Sequence, residues 1–172
     1  MWDFFETVRH RHSVRRYLDM PVEREKLHAI LETACSAPSA GDLQSYRIIV
    51  VNDPARRAAL RHAAHDQHFV SEAPTCLVFC ADPQRAAAQY GTRGENLYAV
   101  QDATIAAAYA QLAIVAAGMG STWVGYFDER EVAKVLELEP GILPVALLSA
   151  GYPAELPEPT TRRRLNEVVK FI

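Results

Sequence analysis

The chain has 172 residues, 49% hydrophobic and 23% charged, with a formal net charge of −3 at pH 7. That length suits one compact domain with a real core, and the weakly acidic balance excludes a general nucleic-acid binder, which presents a broad basic face. The three cysteines, Cys35, Cys76 and Cys80, form no C-x-x-C pair, so the sequence predicts a reduced, cytoplasmic protein without structural zinc.

In chain order, Asp3 is placed to cap a short helix carrying Phe4, Phe5 and Val8. No apolar stretch in MWDFFETVRH is long enough for a signal peptide. A basic loop follows, and Pro21 opens a second helix with Leu27, Ile30, Leu31 and Ala34 at core-facing spacing. It stops near Pro38-Ser39-Ala40-Gly41. YRIIVV, Tyr46 to Val51, reads as a strand rich in β-branched residues. Pro54 starts another helix, and Cys76 to Cys80 reads as a buried strand in which the thiols act as small hydrophobes. Gln101 to Ala117 reads as the longest helix, its apolar part short of the roughly 20 residues of a membrane span. STWVGYF is a third strand, Asp128 with Glu131 opens EREVAKVLEL, and PVALLSAGY is a fourth strand. The proline-rich tail runs over the surface. Helices interleaved with strands predict layers of helix on both faces of one sheet. No repeat or second domain is visible, so residues 1–172 form one domain, with 153–172 as an extended arm.

RHRHSVRRY, residues 9–17, stands out against the acidic background, with six Arg or His in its first eight positions. Such a run can be a solvated basic loop. It can also touch nucleic acid, although one loop neutralises few phosphates. A third reading is a site for one phosphate group. Arg11 and Arg15 offer guanidinium forks and Ser13 a hydroxyl, and alternate side chains of an extended loop share one side. Arg162-Arg163-Arg164 forms a second cationic cluster near the other end of the chain. The two clusters are able to meet on one dianion.

An ordered series of segments now resembles the FMN-dependent nitroreductase family. RHSVRRY opens it, followed by APSAGDLQSYRIIVV, then QDATIAAAYAQLAIVAAGMGSTWVGYF, then LPVALLSAGYPAE and RRRLNEVV. The resemblance covers nearly the whole chain. It implies an α+β subunit, a three-layer α/β/α sandwich around a mixed sheet of four to five strands. It also implies a homodimer with FMN at the interface and a C-terminal arm crossing to the partner. By position, Arg11, His12, Ser13 and Arg15 would hold the FMN phosphate and ribityl chain. Arg162 and Arg164 would approach the same phosphate, with Arg163 able to replace either. Pro38, Ser39, Ala40, Asp42 and Gln44 would line the flavin from the partner subunit, Val124, Gly125 and Tyr126 would lie along the ring, and Gln67 would reach the pyrimidine edge.

The activity implied is NAD(P)H oxidation coupled to reduction of nitroaromatics, quinones or related electrophiles, by ping-pong hydride transfer through flavin N5. The flavin carries the chemistry, so no protein group is assigned as catalytic, and no metal is expected. A non-catalytic FMN-binding or sensing protein, and a dehalogenating or flavin-fragmenting relative, stand as alternatives. No G-x-G-x-x-G follows a strand, so no dedicated nicotinamide domain is expected.

Departures from the family pattern are specific. Asp42 replaces a common asparagine and, when ionised, only accepts hydrogen bonds. Tyr46 replaces tryptophan, Ser45 proline, and Tyr126 a glycine beside the ring. The chain is short for the family, so an extended lid helix is expected to be missing. Elsewhere, His62, His65 and His68 are expected on a half-exposed helix face, drifting around its axis rather than sharing a metal. Glu95 and Asp102 are expected as surface or helix-start acids. Tyr90, Tyr98 and Tyr109 are expected at a pocket edge or dimer interface, with core packing the first reading for Tyr109, and Met119 is expected in the core.

Overall fold

The structure, a computed structural model, describes residues 3–172. Four strands form one sheet: β1 (Tyr46–Val51), β2 (Thr75–Ala81), β3 (Gly120–Val124) and β4 (Leu143–Gly151), in the order β1-β2-β4-β3. Every strand pair is antiparallel. The sheet is therefore not mixed as the sequence suggested; the parallel contact is a single bridge between Ser13 and Ser121. Between Phe79 and Cys80 the register shifts by one residue, leaving Val145 of β4 as the extra residue of a bulge.

Alternation along the strands separates two cores. Cys76, Val78, Cys80 and Leu147 pack with α3 (Pro54–Ala63), α4 (Phe69–Glu72) and α7 (Glu129–Val135). Leu77, Phe79 and Leu148 pack on the other face with α2 (Arg24–Cys35) and α6 (Ala99–Ala116). A period of two puts successive side chains on opposite faces, and with both faces covered β2 is buried at every residue. The three-layer sandwich follows directly from that pattern.

Local signals explain the helix starts. Asp3 caps α1 (Phe4–His10), and Glu6 reaches back to the Asp3 amide in a reciprocal capping box. Asp53 caps α3, with Pro54 at its first position. Asp128 caps α7 by accepting from the Arg130 and Glu131 amides. The second helix starts at Arg24 and not at Pro21, with Glu23 as its N-cap. The short α4 and the longer α5 (Pro83–Arg93) both escaped the sequence reading. α5 carries the same Asp-Pro start as α3, with Asp82 accepting from the Arg85 amide. Gly91 adopts φ +54 and interrupts it, and a π-turn, Gly94–Tyr98, leads into α6.

By length and composition the run Pro83–Ala116 could cross a membrane, and half of its apolar window is buried inside the fold. α6 contacts all four strands and α2, which is the work of a core helix. The last helix, α8 (Leu165–Val168), ends a tail exposed from residue 158 onward.

Candidate functional site

The basic loop leaves α1 at Arg11 in extended conformation and is laid along the end of the sheet. The Val14 amide donates to the Ser121 carbonyl at 3.0 Å. The Val14 carbonyl accepts from the Thr122 hydroxyl and, at 2.6 Å, from the Tyr17 hydroxyl. Tyr17 also meets Ser149 Oγ at 3.0 Å, tying the loop to β4. Burial pushes its phenol up to about 12, so it stays protonated as a donor. Val14 packs against Gly120, where an added Cβ would lie 2.5 Å from its methyl. The stretch around Val14 is thus pinned through its backbone and the neutral Thr122 and Tyr17 hydroxyls.

Arg11 lies near Arg162, contributed by the far end of the chain. Burial first, and the Arg162 charge second, lower the Arg11 guanidinium from its ordinary value. Neither arginine forms an ion pair with a carboxylate among the described residues. Arg162 donates to the Thr160 and Thr161 carbonyls. The mutual repulsion of two such cations is one that an anion between them would relieve. The other two arginines of the tail behave differently. Arg163 pairs with Glu167 at 3.4 Å and donates to its carbonyl at 2.7 Å, and Arg164 is the exposed N-cap residue of α8. The Arg162 charge thus bears on Arg11, while Arg163 is engaged within α8 and Arg164 sits exposed at its start.

The remaining loop residues are spread along it. Ser13 is half-buried at its bridge to Ser121. His12 lines a cavity of about 300 Å³ shared with Val14, Pro153 and Glu155. The Arg15 amide donates to Glu155 at 3.1 Å, and its guanidinium lies 5.7 Å from the centre of the Phe69 ring. Phe69 opens the short helix that follows Gln67. Gln67 in turn donates to the carbonyls of Ala64 at 2.9 Å and Tyr126 at 3.0 Å. Arg15, Gln67 and Tyr126 thereby share one stretch of surface.

At the end of β3, Val124 is 2% exposed within the core, so in the single chain it offers little surface to a ligand. Gly125 is exposed and its φ is not in the left-handed region. An added Cβ there meets nothing nearer than the Trp123 indole nitrogen at 3.6 Å. Packing within the chain does not demand a glycine, and the missing side chain leaves open surface beside the strand. Tyr126 is 72% exposed, stacked 4.0 Å from His65. The three histidines are not on one helix as the sequence suggested. α3 ends at Ala63, His65 has φ +54, His62 pairs with Asp66 at 2.9 Å, and His68 precedes α4.

The segment from Pro38 to Gln44 forms a tight turn at the edge of β1. Gly41, Asp42 and Gln44 have φ of +57, +56 and +50. For Asp42 and Gln44 that conformation costs about 1 kcal/mol or more each. Ser39 Oγ accepts from the Gln44 amide at 3.0 Å, and Gln44 Nε2 donates to Asp42 Oδ1 at 3.0 Å. The Ala40 and Ser45 amides donate to Asp102, at 3.0 and 3.2 Å. Asp102 is 2% exposed. It is a helix-start acid, in the first turn of α6, and not a surface one; the signal in the sequence was a lone acid inside an alanine-rich helix. Tyr109 is not packed in the core but 38% exposed beside an apolar groove, in keeping with its pocket-edge alternative, whereas Met119 is buried as expected. Tyr90 and Tyr98 stack edge to face at 5.1 Å on the π-turn side. No hydrogen bond among the described residues joins the 38–44 turn to residues 9–17.

Comparison with known proteins decides the family. The nitroreductase family model matches residues 8–71 and 61–152. The chain belongs to the nitroreductase family. A Thermus thermophilus NADH dehydrogenase is 37% identical, over 92% of this chain and 91% of that protein. A Bacillus subtilis FMN reductase [NAD(P)H] is 31% identical over 90% of this chain and 68% of its own length. The solved NADPH:FMN oxidoreductase from Vibrio harveyi, complexed with NAD+, superposes with a TM-score of 0.89 at 27% identity. It covers 97% of this chain and 76% of that one. This nitroreductase-family chain thus carries, at its two ends, the cationic pair a phosphate-bearing ligand would fit.

Proposed function

We propose that this chain is an FMN-dependent NAD(P)H oxidoreductase that reduces nitroaromatics, quinones or related electrophiles as a homodimer. The observation that carries the reading is membership of the nitroreductase family with FMN reductase relatives, and the Arg162 charge bearing on Arg11 from the far end of the chain supports the placing of the phosphate.

The residues present fit FMN. Arg11, Arg15 and Arg162 supply positive charge for its phosphate dianion, and Ser13 a hydroxyl, with charge-assisted bonds contributing about 1.5–3 kcal/mol each. His12 borders the same loop. Gly125 leaves room for backbone to approach a flat ring beside β3, and Gln67 fixes the Tyr126 carbonyl next to it. Pro38, Ser39, Ala40, Asp42 and Gln44 are placed as the partner subunit's contribution, since their turn does not bond to the basic loop of its own chain. Arg164 is assigned to the phosphate only through the family pattern.

FMN, when bound, supplies the group that takes up a hydride from NAD(P)H and passes it to the acceptor. The arginines neutralise the phosphate and so fix the position of the ring. Ionised Asp42 accepts and does not donate, so it suits a ring N–H better than a carbonyl. Exposed Tyr126 narrows the space beside the ring and favours flat acceptors. Reductant and acceptor then share one pocket in turn, giving parallel double-reciprocal plots.

A homodimer is supported by an apolar groove of about 670 Å³ between α1, α2 and α6, lined by Phe4, Ile30, Tyr109 and Leu112 among others. Phe4 and Phe5 are 65% and 67% exposed on a single chain, and an apolar face of that kind needs cover. The exposed tail is the proposed crossing arm, and the three free cysteines suit a reducing cytoplasm.

The test is anaerobic addition of NADH or NADPH to the yellow protein. Bleaching, reversed by a quinone or nitroaromatic, is expected. A flavin that stays oxidised would favour the binding or sensing role.

A further inference from the structure

Asp102 sits on α6, in the layer opposite α3 and α7, and no cation pairs with it among the described residues. Its two oxygens are used separately. Oδ1 accepts from the Ala40 amide and Oδ2 from the Ser45 amide. These two amides bracket the left-handed residues Gly41, Asp42 and Gln44. Non-glycine residues hold such conformations only where the surroundings over-determine them. Ties within the turn are short-range, from Ser39 to Gln44 and from Gln44 to Asp42. On the outer side, α5 contributes an Arg85 bond to the Leu43 carbonyl and the Tyr90 hydroxyl packed at Gly41. Asp102 alone grips both flanks from the core.

We propose that Asp102 is a positioning residue that holds the 41–44 turn in its left-handed shape for contact with the flavin, setting flavin affinity and redox potential through the backbone it grips. The proposal rests on the reading of that turn as flavin-lining. A carboxylate is required because both neighbours are donors. An amide at position 102 would accept from one and set its own N–H₂ against the other, releasing one flank of the turn.

The test uses the full-length protein carrying Asp102→Asn, with Gly41→Ala as a second variant. Alanine at Gly41 would have φ +57 and a Cβ 2.4 Å from the Tyr90 hydroxyl, so it disturbs the turn without touching the buried carboxylate. Three measurements are made: amide hydrogen exchange of Ala40 and Ser45 in FMN-free protein, the FMN dissociation constant, and the flavin midpoint potential. Asp102→Asn is expected to speed exchange at one or both amides and to weaken FMN about tenfold. The midpoint potential is expected to shift with them, and Gly41→Ala to weaken FMN in the same direction. Wild-type exchange in Asp102→Asn, or fast exchange with wild-type FMN affinity and potential, overturns the proposal. If Asp102→Asn does not fold, Gly41→Ala decides: wild-type FMN affinity and potential in that variant overturn it. FMN binding that fails already in the unsubstituted protein instead overturns the functional reading, and the proposal with it.

Discussion

Replacing Arg162 with alanine should separate stability from ligand binding, with the two changes differing in sign or size. In the ligand-free chain Arg162 is exposed and bonds only to nearby Thr160 and Thr161 oxygens. Its removal therefore costs at most about 0.5 kcal/mol, the usual range for surface substitutions. Losing it also relieves the repulsion that lowers the Arg11 guanidinium, so the thermal midpoint of the FMN-free protein should hold or rise. FMN binding, by contrast, loses one charge-assisted phosphate contact, about 1.5–3 kcal/mol, or roughly 10- to 150-fold in dissociation constant. Arg11→Ala should weaken FMN similarly, and the double variant by other than the sum, because both act on one phosphate. Flavin fluorescence titration and thermal denaturation of the same preparations give both numbers. Unchanged FMN affinity in Arg162→Ala, or a large loss of stability without FMN, would refute the reasoning.

Other outcomes follow from the same geometry. Tyr17→Phe should cost about 1–2 kcal/mol in urea unfolding, since it removes the hydroxyl shared between Val14 and Ser149. The folded phenol stands at about 12 against an ordinary 10, so its stabilisation is complete below pH 10 and is lost as pH rises towards 12. Buried Cys76 and Cys80, raised from 9 to about 12, add losses that begin near pH 9; the phenylalanine variant should lose only the later part of the alkaline decline. Gly120→Ala should destabilise by about 1–3 kcal/mol through its clash with Val14 and weaken FMN as the loop shifts, readable by melting and titration together. Tyr126→Gly should leave stability and FMN affinity nearly unchanged and lower KM about tenfold for a bulky nitroaromatic but not for a small acceptor, by steady-state assay.

Local rules recovered most elements because the chain obeys them locally. Asp3, Asp53 and Asp128 cap where their spacing says they should, and YRIIVV is a strand over Tyr46–Val51. α5 was missed because Gly91 and Gly94 break its pattern, although its Asp-Pro start was visible. Strand direction was not legible, since helices between strands suggest crossovers and the actual ladders are all antiparallel. The meeting of Arg11 with Arg162 could be anticipated from two isolated basic clusters in an acidic chain. The pairing of Arg163 with Glu167 could not, because it depends on the path of the tail. The partners of Asp102 were not legible for a similar reason: they lie 62 and 57 residues away and are backbone amides, which leave no trace in side-chain chemistry.

The central claim is that the basic loop and the tail recognise a flavin through its phosphate. Titration of flavin-free protein with FMN and with riboflavin, which differ only in that phosphate, tests it most directly. The account predicts FMN tighter than riboflavin by at least about 100-fold, with Arg11→Ala/Arg162→Ala erasing most of the difference. Equal affinities for the two flavins, or a preference for FMN that survives the double substitution, would contradict it.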